Sequence, residues 1–207
     1  MPQRRPRHAP AISRSQRHAS FWTHSILDIG VSDVVTDAAN VLERCYPYPK
    51  DIVAAGLGGG EAFRMAYPGV RYVRITANER LPFADGSFRF AVSNAVLEHV
   101  GSVPDQERFL RELLRVAEEV FVTVPNRFFP IEHQTAIPLA HFSSPSFRLA
   151  CLLRKEEWAQ PENLILMSRR SLEALVPAEA AARATFGYTA LRLGPFSSNL
   201  FLHIARC

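Results

Sequence analysis

The stretch "LPFADGSFRFAVSNAVLEHV", residues 81–100, contains a turn, a strand and a polar strand tip in immediate succession. Pro82 and Gly86 bracket the turn "PFADGS", because proline presets one turn dihedral and glycine tolerates the left-handed ones. The segment "FRFAVSN" (88–94) is then rich in aromatic and apolar residues and ends on two short polar side chains, Ser93 and Asn94. Its apolar residues form a run rather than a strict alternation with polar ones. Such a strand is predicted to be covered on both faces.

The same rhythm extends in both directions. Towards the N-terminus, "VRYVRI" (70–75), "DIVAAG" (51–56) and "SILDIGV" (25–31) read as strands. They are separated by helical patterns at "EAFRMAY" (61–67) and "TDAANVLERCY" (36–46). Towards the C-terminus, "SVPDQERFLRELLRVAEE" (102–119) places Phe109, Leu110, Leu113 and Leu114 on one stripe of an amphipathic helix, with Ser102 and Asp105 as a capping pair. "VFVTVP" (120–125) is a fifth strand, ended by Pro125. Beyond a less regular stretch, a helix is predicted at "SRRSLEALV" (168–176), capped by Ser168 or Ser171. The runs "YTALRLG" (188–194) and "NLFLHIARC" (199–207) are joined by "PFSS", too short for a parallel crossover, so they form an antiparallel pair. The expected fold is α/β: a Rossmann-like, doubly wound sheet of about seven strands, mostly parallel, with a C-terminal antiparallel hairpin.

Composition bounds the function. The chain has 207 residues, 47% of them hydrophobic and 21% charged, enough for one domain with a real core. No stretch reaches the roughly 18–20 continuous apolar residues that span a bilayer. Cys45, Cys151 and Cys207 are too scattered for a disulfide framework or a metal cluster, and a reducing cytoplasm is the expected compartment. Arg4, Arg5, Arg7, Arg14 and Arg17 lie in residues 1–24, which hold no acid. The formal charge of +4 therefore belongs to a basic tail expected to be disordered, and not to the domain at 25–207. No specific nucleic-acid partner is implied. Weak contact with an anionic membrane surface is the partner such a tail suggests, which would make the protein peripheral to the membrane.

In an open parallel sheet, ligands bind beyond the carboxyl ends of the strands. At those positions residues 81–100 resemble the region around the fourth strand of class I S-adenosylmethionine-dependent methyltransferases of the type 11-like group. The likeness extends from about residue 26 to 125, and "VPNRFFPIEHQTAIPLAHF" (124–142) is similar to the segment after the fifth strand in one bacterial subgroup. The resemblance implies an enzyme that uses S-adenosylmethionine as cofactor to methylate a small-molecule or lipid-like acceptor. Asp28, Gly30, Ser32, Gly58, Asn78, Ser93, Asn94 and Leu97 are the positions it assigns to the cofactor. Within that set Asp28 orders the first loop, Gly30 admits the backbone to the cofactor, and Asn94 and Leu97 meet its amino-acid and adenine ends. Glu98 and His99 are the acid–base candidates. Asn126, Arg127, Glu132, His133 and His141 stand on the acceptor side, under a cap formed by residues 126–160; no metal is expected. Methyl transfer from a sulfonium depends chiefly on positioning, so the lack of a catalytic triad does not exclude it.

The chain departs from the family pattern in three places. Val31, Ser32 and Asp33 fill the part of the first loop that is usually glycine-rich. Gly58 stands where an acid for the ribose hydroxyls is expected, with Glu61 several residues late, and Asn78 is the nearest polar stand-in for an acid facing the adenine. These losses imply lowered affinity, an altered pose or no binding, and they support the competing reading of a catalytically degenerate, partner-binding protein. A dinucleotide fingerprint in "GLGGGEAF" (56–63) fails in both registers, because Glu61 or Phe63 falls at the third glycine.

Overall fold

The computed structural model describes residues 26–35, 39–130, 149, 165 and 167–206. The basic tail, most of the cap, and Glu132, His133 and His141 lie outside these residues. Seven strands form one sheet in the order β3-β2-β1-β4-β5-β7-β6. They are β1 (Ile26–Ile29), β2 (Ile52–Gly56), β3 (Arg71–Arg74), β4 (Phe88–Asn94), β5 (Ala117–Pro125), β6 (Ala184–Leu193) and β7 (Phe196–Ile204). The first five are parallel, while β7 runs antiparallel to both β5 and β6. The order reverses at β1, which pairs with β2 on one side and β4 on the other, so loops leaving β1 and β4 diverge to open a crevice.

The helices are α1 (Val41–Cys45), α2 (Glu61–Ala66), α3 (Val103–Val116), α4 (Arg169–Ala174) and α5 (Ala178–Ala181). The larger core lies on one face, where Leu110, Leu113 and Val116 of α3 pack on Leu27, Ile29, Val120 and Val122. A fully buried leucine of this kind is worth about 1.5–3 kcal/mol. On the opposite face Ile52 and Ala54 meet Phe63 and Val70. The β2 strand is buried on both faces, the condition that makes its sequence a continuous apolar run.

The structure corrects several boundaries. Within the described part of the stretch 36–46 the helix is the five-residue α1, because Asn40 adopts a left-handed conformation (φ 52°) that starts it no earlier than Val41. The α3 helix ends at Val116, and Ala117, Glu118 and Glu119 belong instead to β5, which starts at Ala117. The hairpin is tighter than "PFSS" suggested: Leu193 pairs with Phe196, leaving Gly194 and Pro195 as the turn. The expected caps form: Ser102 with Asp105 closes a capping box on α3, and Ser168 with Ser171 closes one on α4.

Between β3 and β4 the chain has no helix, and the turn through residues 81–87 is held from outside by Arg115 of α3. Its guanidinium donates to the carbonyls of Leu81 (3.1 Å) and Phe83 (2.9 Å), to both Glu112 oxygens (2.9 and 2.7 Å) and to Asp85 (2.7 Å). Glu112 in turn accepts the Leu81 amide at 2.9 Å.

Candidate functional site

Two cavities flank the tip of β1. The larger, about 430 Å³, lies between the loops after β1, β2 and β3 and the start of α3, a size usual for small-molecule sites. Ile75, Val96, Val100 and Phe109 make its walls apolar, and Ser32 and Asn78 add polar groups at its edge. The second, about 360 Å³, opens on the other face of the sheet over β1, β4 and β5. Ile29, Gly30 and Val31 border both cavities. Gly30 has φ +92°, and a Cβ there would lie 2.2 Å from Val96 Cγ2, so the partition is a close contact between the β1 tip and the segment leaving β4.

The first loop is wired internally. The Gly30 and Val31 amides both donate to the Ala55 carbonyl (2.8 and 3.3 Å), which ties the loop to β2. The Ser32 amide donates to Asn40 Oδ1 at 3.0 Å, and Asn40 Nδ2 donates back to the Ser32 carbonyl at 2.9 Å. Asp33 reaches across to the second loop, where its Oδ2 accepts the Gly60 amide at 2.9 Å. A Cβ built on Gly58 would lie only 2.4 Å from that same oxygen. The space that a side chain at position 58 would take is thus filled by a carboxylate supplied from position 33, whose other oxygen is buried with no partner among the described residues. Tyr72 closes the loop by donating its hydroxyl to the Gly58 carbonyl at 2.9 Å.

Strand register builds the second cavity. Asp28 lies beside Val92, and Val92 beside Phe121, so these three form one row; Asn94 and Thr123 form the next row towards the tip. The Thr123 hydroxyl donates to Asn94 Oδ1 in a short bond. Asp28 is 8% exposed and Glu43, from α1, 5%. Their carboxyl groups stand close enough for the charge of Glu43 to act on Asp28. Burial, then the Glu43 charge, pushes the Asp28 carboxyl well above the ordinary carboxylate range, and burial raises Glu43 as well. Burial thus favours a proton held by this pair at pH values where a free carboxylate has lost it. Unfolding releases that proton between the ordinary carboxylate value and the raised native one, so the fold loses stability as pH rises through this window. Glu43→Gln, whose amide can donate to an ionised Asp28, is expected to flatten the loss; urea melts across the acid-to-neutral range check this.

The residues singled out from the sequence fall into separate places. Gly30, Ser32, Gly58, Asn78 and His99 border the larger cavity, while Asp28, Gly30 and Asn94 border the second. Asp28 stands beside Glu43. Leu97 is fully buried in the larger core and lines neither cavity, because the 3₁₀ turn Leu97–His99 directs it inward and Gln106 Nε2 fixes the turn by donating to its carbonyl at 3.0 Å. Val96 and Val100 supply the apolar wall instead. Ser93 is likewise fully buried, on the face of β4 that turns away from Asn94. Glu98 is 1% exposed and stands behind His99, with Oε1 at 4.0 Å from His99 Nε2. Asn126 spends its polar groups on structure: its amide and Nδ2 donate to the carbonyls of Ser198 (2.8 Å) and Ser197 (2.9 Å), and Oδ1 accepts the Phe128 amide. The Arg127 amide donates to Met167, and its side chain borders neither cavity. Sequence reasoning did not select Asp33, Glu43 or Phe121. No local pattern marks Asp33, and Glu43 sits three residues after Asn40, a spacing that suggests a helix cap.

Residues 49–119 match the family model of a methyltransferase domain. No curated protein sequence matches the chain. Among solved structures, a protein from Methanosarcina mazei described as a SAM-dependent methyltransferase shares 18% identity and covers 92% of this chain and 95% of its own, with a TM-score of 0.52. A SAM-dependent methyltransferase from Aquifex aeolicus shares 13% identity over 92% of this chain and 87% of its own, with a TM-score of 0.52. A protein from Rhodobacter sphaeroides described as a zinc-dependent alcohol dehydrogenase shares 11% identity over 91% of this chain and 86% of its own, with a TM-score of 0.56. At such identities the likeness to solved structures establishes the fold alone. Among the described residues no group of three or more His, Cys, Asp or Glu could hold a metal ion, and no helix is long and apolar enough to cross a membrane.

Proposed function

We propose that this chain is a class I, S-adenosylmethionine-dependent methyltransferase that transfers a methyl group from that cofactor to a small-molecule or lipid-like acceptor, a reading supported by the match of residues 49–119 to a methyltransferase-domain model. One observation carries the reading: the larger cavity stands at the carboxyl ends of the strands around the point where strand order reverses. Its residues fit the adenosyl end. Ile75, Val96, Val100 and Phe109 form an apolar slot for a flat base, and Asn78 offers it both a donor and an acceptor. The acid missing at Gly58 is replaced in space by Asp33, whose carboxylate is held by the Gly60 amide behind the cavity wall. When bound, the cofactor supplies a methyl group on a positively charged sulfur. The chain's part is to hold the acceptor in line and keep water out. Where an acceptor must lose a proton, His99 is a group on the wall able to take it, beside the carboxylates Glu79, Asp105 and Glu112 and with Glu98 buried behind.

A second reading, a domain that binds a partner without methylating it, is favoured by the wiring of the first loop. The Gly30, Val31 and Ser32 amides all donate within the protein, so none of these three is left to meet a cofactor carboxylate. Titration calorimetry of the full chain with S-adenosylmethionine and S-adenosylhomocysteine separates the two. Micromolar binding that falls at least tenfold in Gly30→Arg supports the methyltransferase; no heat from folded protein supports the partner-binding domain. The lipid-like acceptor class and a peripheral, cytoplasmic location rest on the arginine tail and the apolar run 136–153. They require co-sedimentation with anionic liposomes that weakens when residues 1–24 are removed.

A further inference from the structure

The β6–β7 hairpin outruns the sheet it belongs to. The last rung joining β5 to β7 is Pro125 with Asn199, and the hairpin continues past it to Phe196 and the Gly194–Pro195 turn, an overhang of roughly 10 Å. Every residue from Ala190 to Phe196 is exposed. Leu191 is 67% exposed, Leu193 52% and Phe196 42%, so the hairpin ends in an apolar tip whose one charge is Arg192. A bulge shapes this tip. The register shifts between Thr189 and Arg192, with Ala190 left-handed at φ 66°. Two buried serines of β7 brace it: the Leu191 amide donates to Ser198 Oγ at 3.1 Å, and Ser197 Oγ donates to the Thr189 carbonyl at 2.6 Å.

The charge around the tip has one sign. The described segments that meet at this edge, 120–130, 167–172 and 184–204, contain no acidic residue. Asn126 donates to the Ser197 and Ser198 carbonyls and the Arg127 amide to Met167, so Arg127 and the first turn of α4 stand at the base of the hairpin. Arg169 is paired with Glu173, whereas Arg127, Arg170 and Arg192 form no ion pair among the described residues. Apolar side chains at a protruding tip, with arginines lacking counterions beside them, complement a bilayer interface with anionic headgroups. Strand pairing with a second copy along β6 is opposed by the bulge, which breaks the row of backbone groups that an added strand needs. We propose that the β6–β7 hairpin docks on an anionic lipid bilayer, with Leu191, Leu193 and Phe196 in the acyl boundary and Arg127, Arg170 and Arg192 at the headgroups. The tip lies at the carboxyl edge of the parallel strands, three strand spacings (roughly 15 Å) from β4, so docking turns the edge that carries the larger cavity towards the lipid. The proposal rests on the membrane contact proposed above, but assigns it to the fold rather than to residues 1–24.

Co-sedimentation of the full chain with vesicles of equal parts phosphatidylglycerol and phosphatidylcholine tests it. Leu191→Ser combined with Leu193→Ser is expected to weaken binding at least tenfold, because the apolar tip is lost without any change of charge. Its thermal melt and its calorimetric response to S-adenosylhomocysteine should stay as in wild type. Phe196→Trp supplies a local reporter, whose emission should move to the blue on these vesicles beyond any change shown by Trp22 and Trp158 in wild type. Equal binding by wild type and the double variant, or no added shift from Phe196→Trp, overturns the hairpin and leaves the arginine tail as the membrane contact. A wild type that does not bind the vesicles overturns both. A dimer that the double variant dissociates on size exclusion, with vesicle binding unchanged, gives the tip to a second copy and overturns the proposal as well. None of these outcomes depends on methyl transfer, which the titration with S-adenosylmethionine tests separately.

Discussion

Gly30→Ala is expected to cost about 3 kcal/mol of folding free energy and to abolish adenosyl binding in the protein that remains folded. Two costs fall on one position. At φ +92° an L-residue clashes with its own backbone. The new Cβ would also land 2.2 Å from Val96 Cγ2, and Val96 cannot simply withdraw, because the adjacent 3₁₀ turn is anchored by Leu97 in the core and by Gln106. Relief has to come from a shift of the β1 tip, which also bears the two amides bonded to Ala55. Val96→Ala should recover about half of the stability loss, because it removes the clash and leaves the backbone strain. Urea denaturation of the two single variants and the double variant measures this. Equal stability of Gly30→Ala and wild type would show that the partition between the cavities is not a tight contact.

Arg115→Met is expected to destabilise the fold by a similar amount, about 3 kcal/mol, although Arg115 itself does not border the larger cavity. Arg115 makes every donation its guanidinium allows, and two acceptors are backbone carbonyls of the turn that leads into β4. Methionine fills much of the volume and leaves those carbonyls without the guanidinium and Glu112 with only the Leu81 amide. Arg115→Lys should recover little, since an ammonium cannot reproduce the fork that spans Leu81, Phe83 and Glu112 at once. Leu81 and Glu112 both border the larger cavity, so ligand affinity should fall along with stability. Circular-dichroism melts together with calorimetry test the coupling. A stable Arg115→Met that binds normally would mean that the turn is held by its own sequence.

Much of the fold was legible because its signals are local. The "PFADGS" turn, the stripe on α3 and its Ser102–Asp105 cap each act within a few residues, and each forms as the spacing indicates. The antiparallel hairpin followed from a connection too short for anything else, although its turn proved tighter. Helix α1 was overextended, because apolar periodicity does not reveal that Asn40 turns left-handed to hold Ser32. Leu97 was misplaced for a related reason: its position at a strand tip was readable, but the direction of its side chain is set by a 3₁₀ turn and by Gln106 nine residues away.

The sequence by itself determined the order of strands and helices and the parallel character of the sheet, with the strand ends as the expected region for a ligand. These depend on periodicity, turn chemistry and connection length, which act along the chain. Tertiary structure decided which groups meet there. Asp33 reaches the space at Gly58 across 25 positions of sequence, Glu43 reaches Asp28 across 15, and Phe121 joins them only through the register of three parallel strands. Contacts of this kind arise because parallel strands bring distant residues side by side at a spacing of about 5 Å, and no local pattern records them.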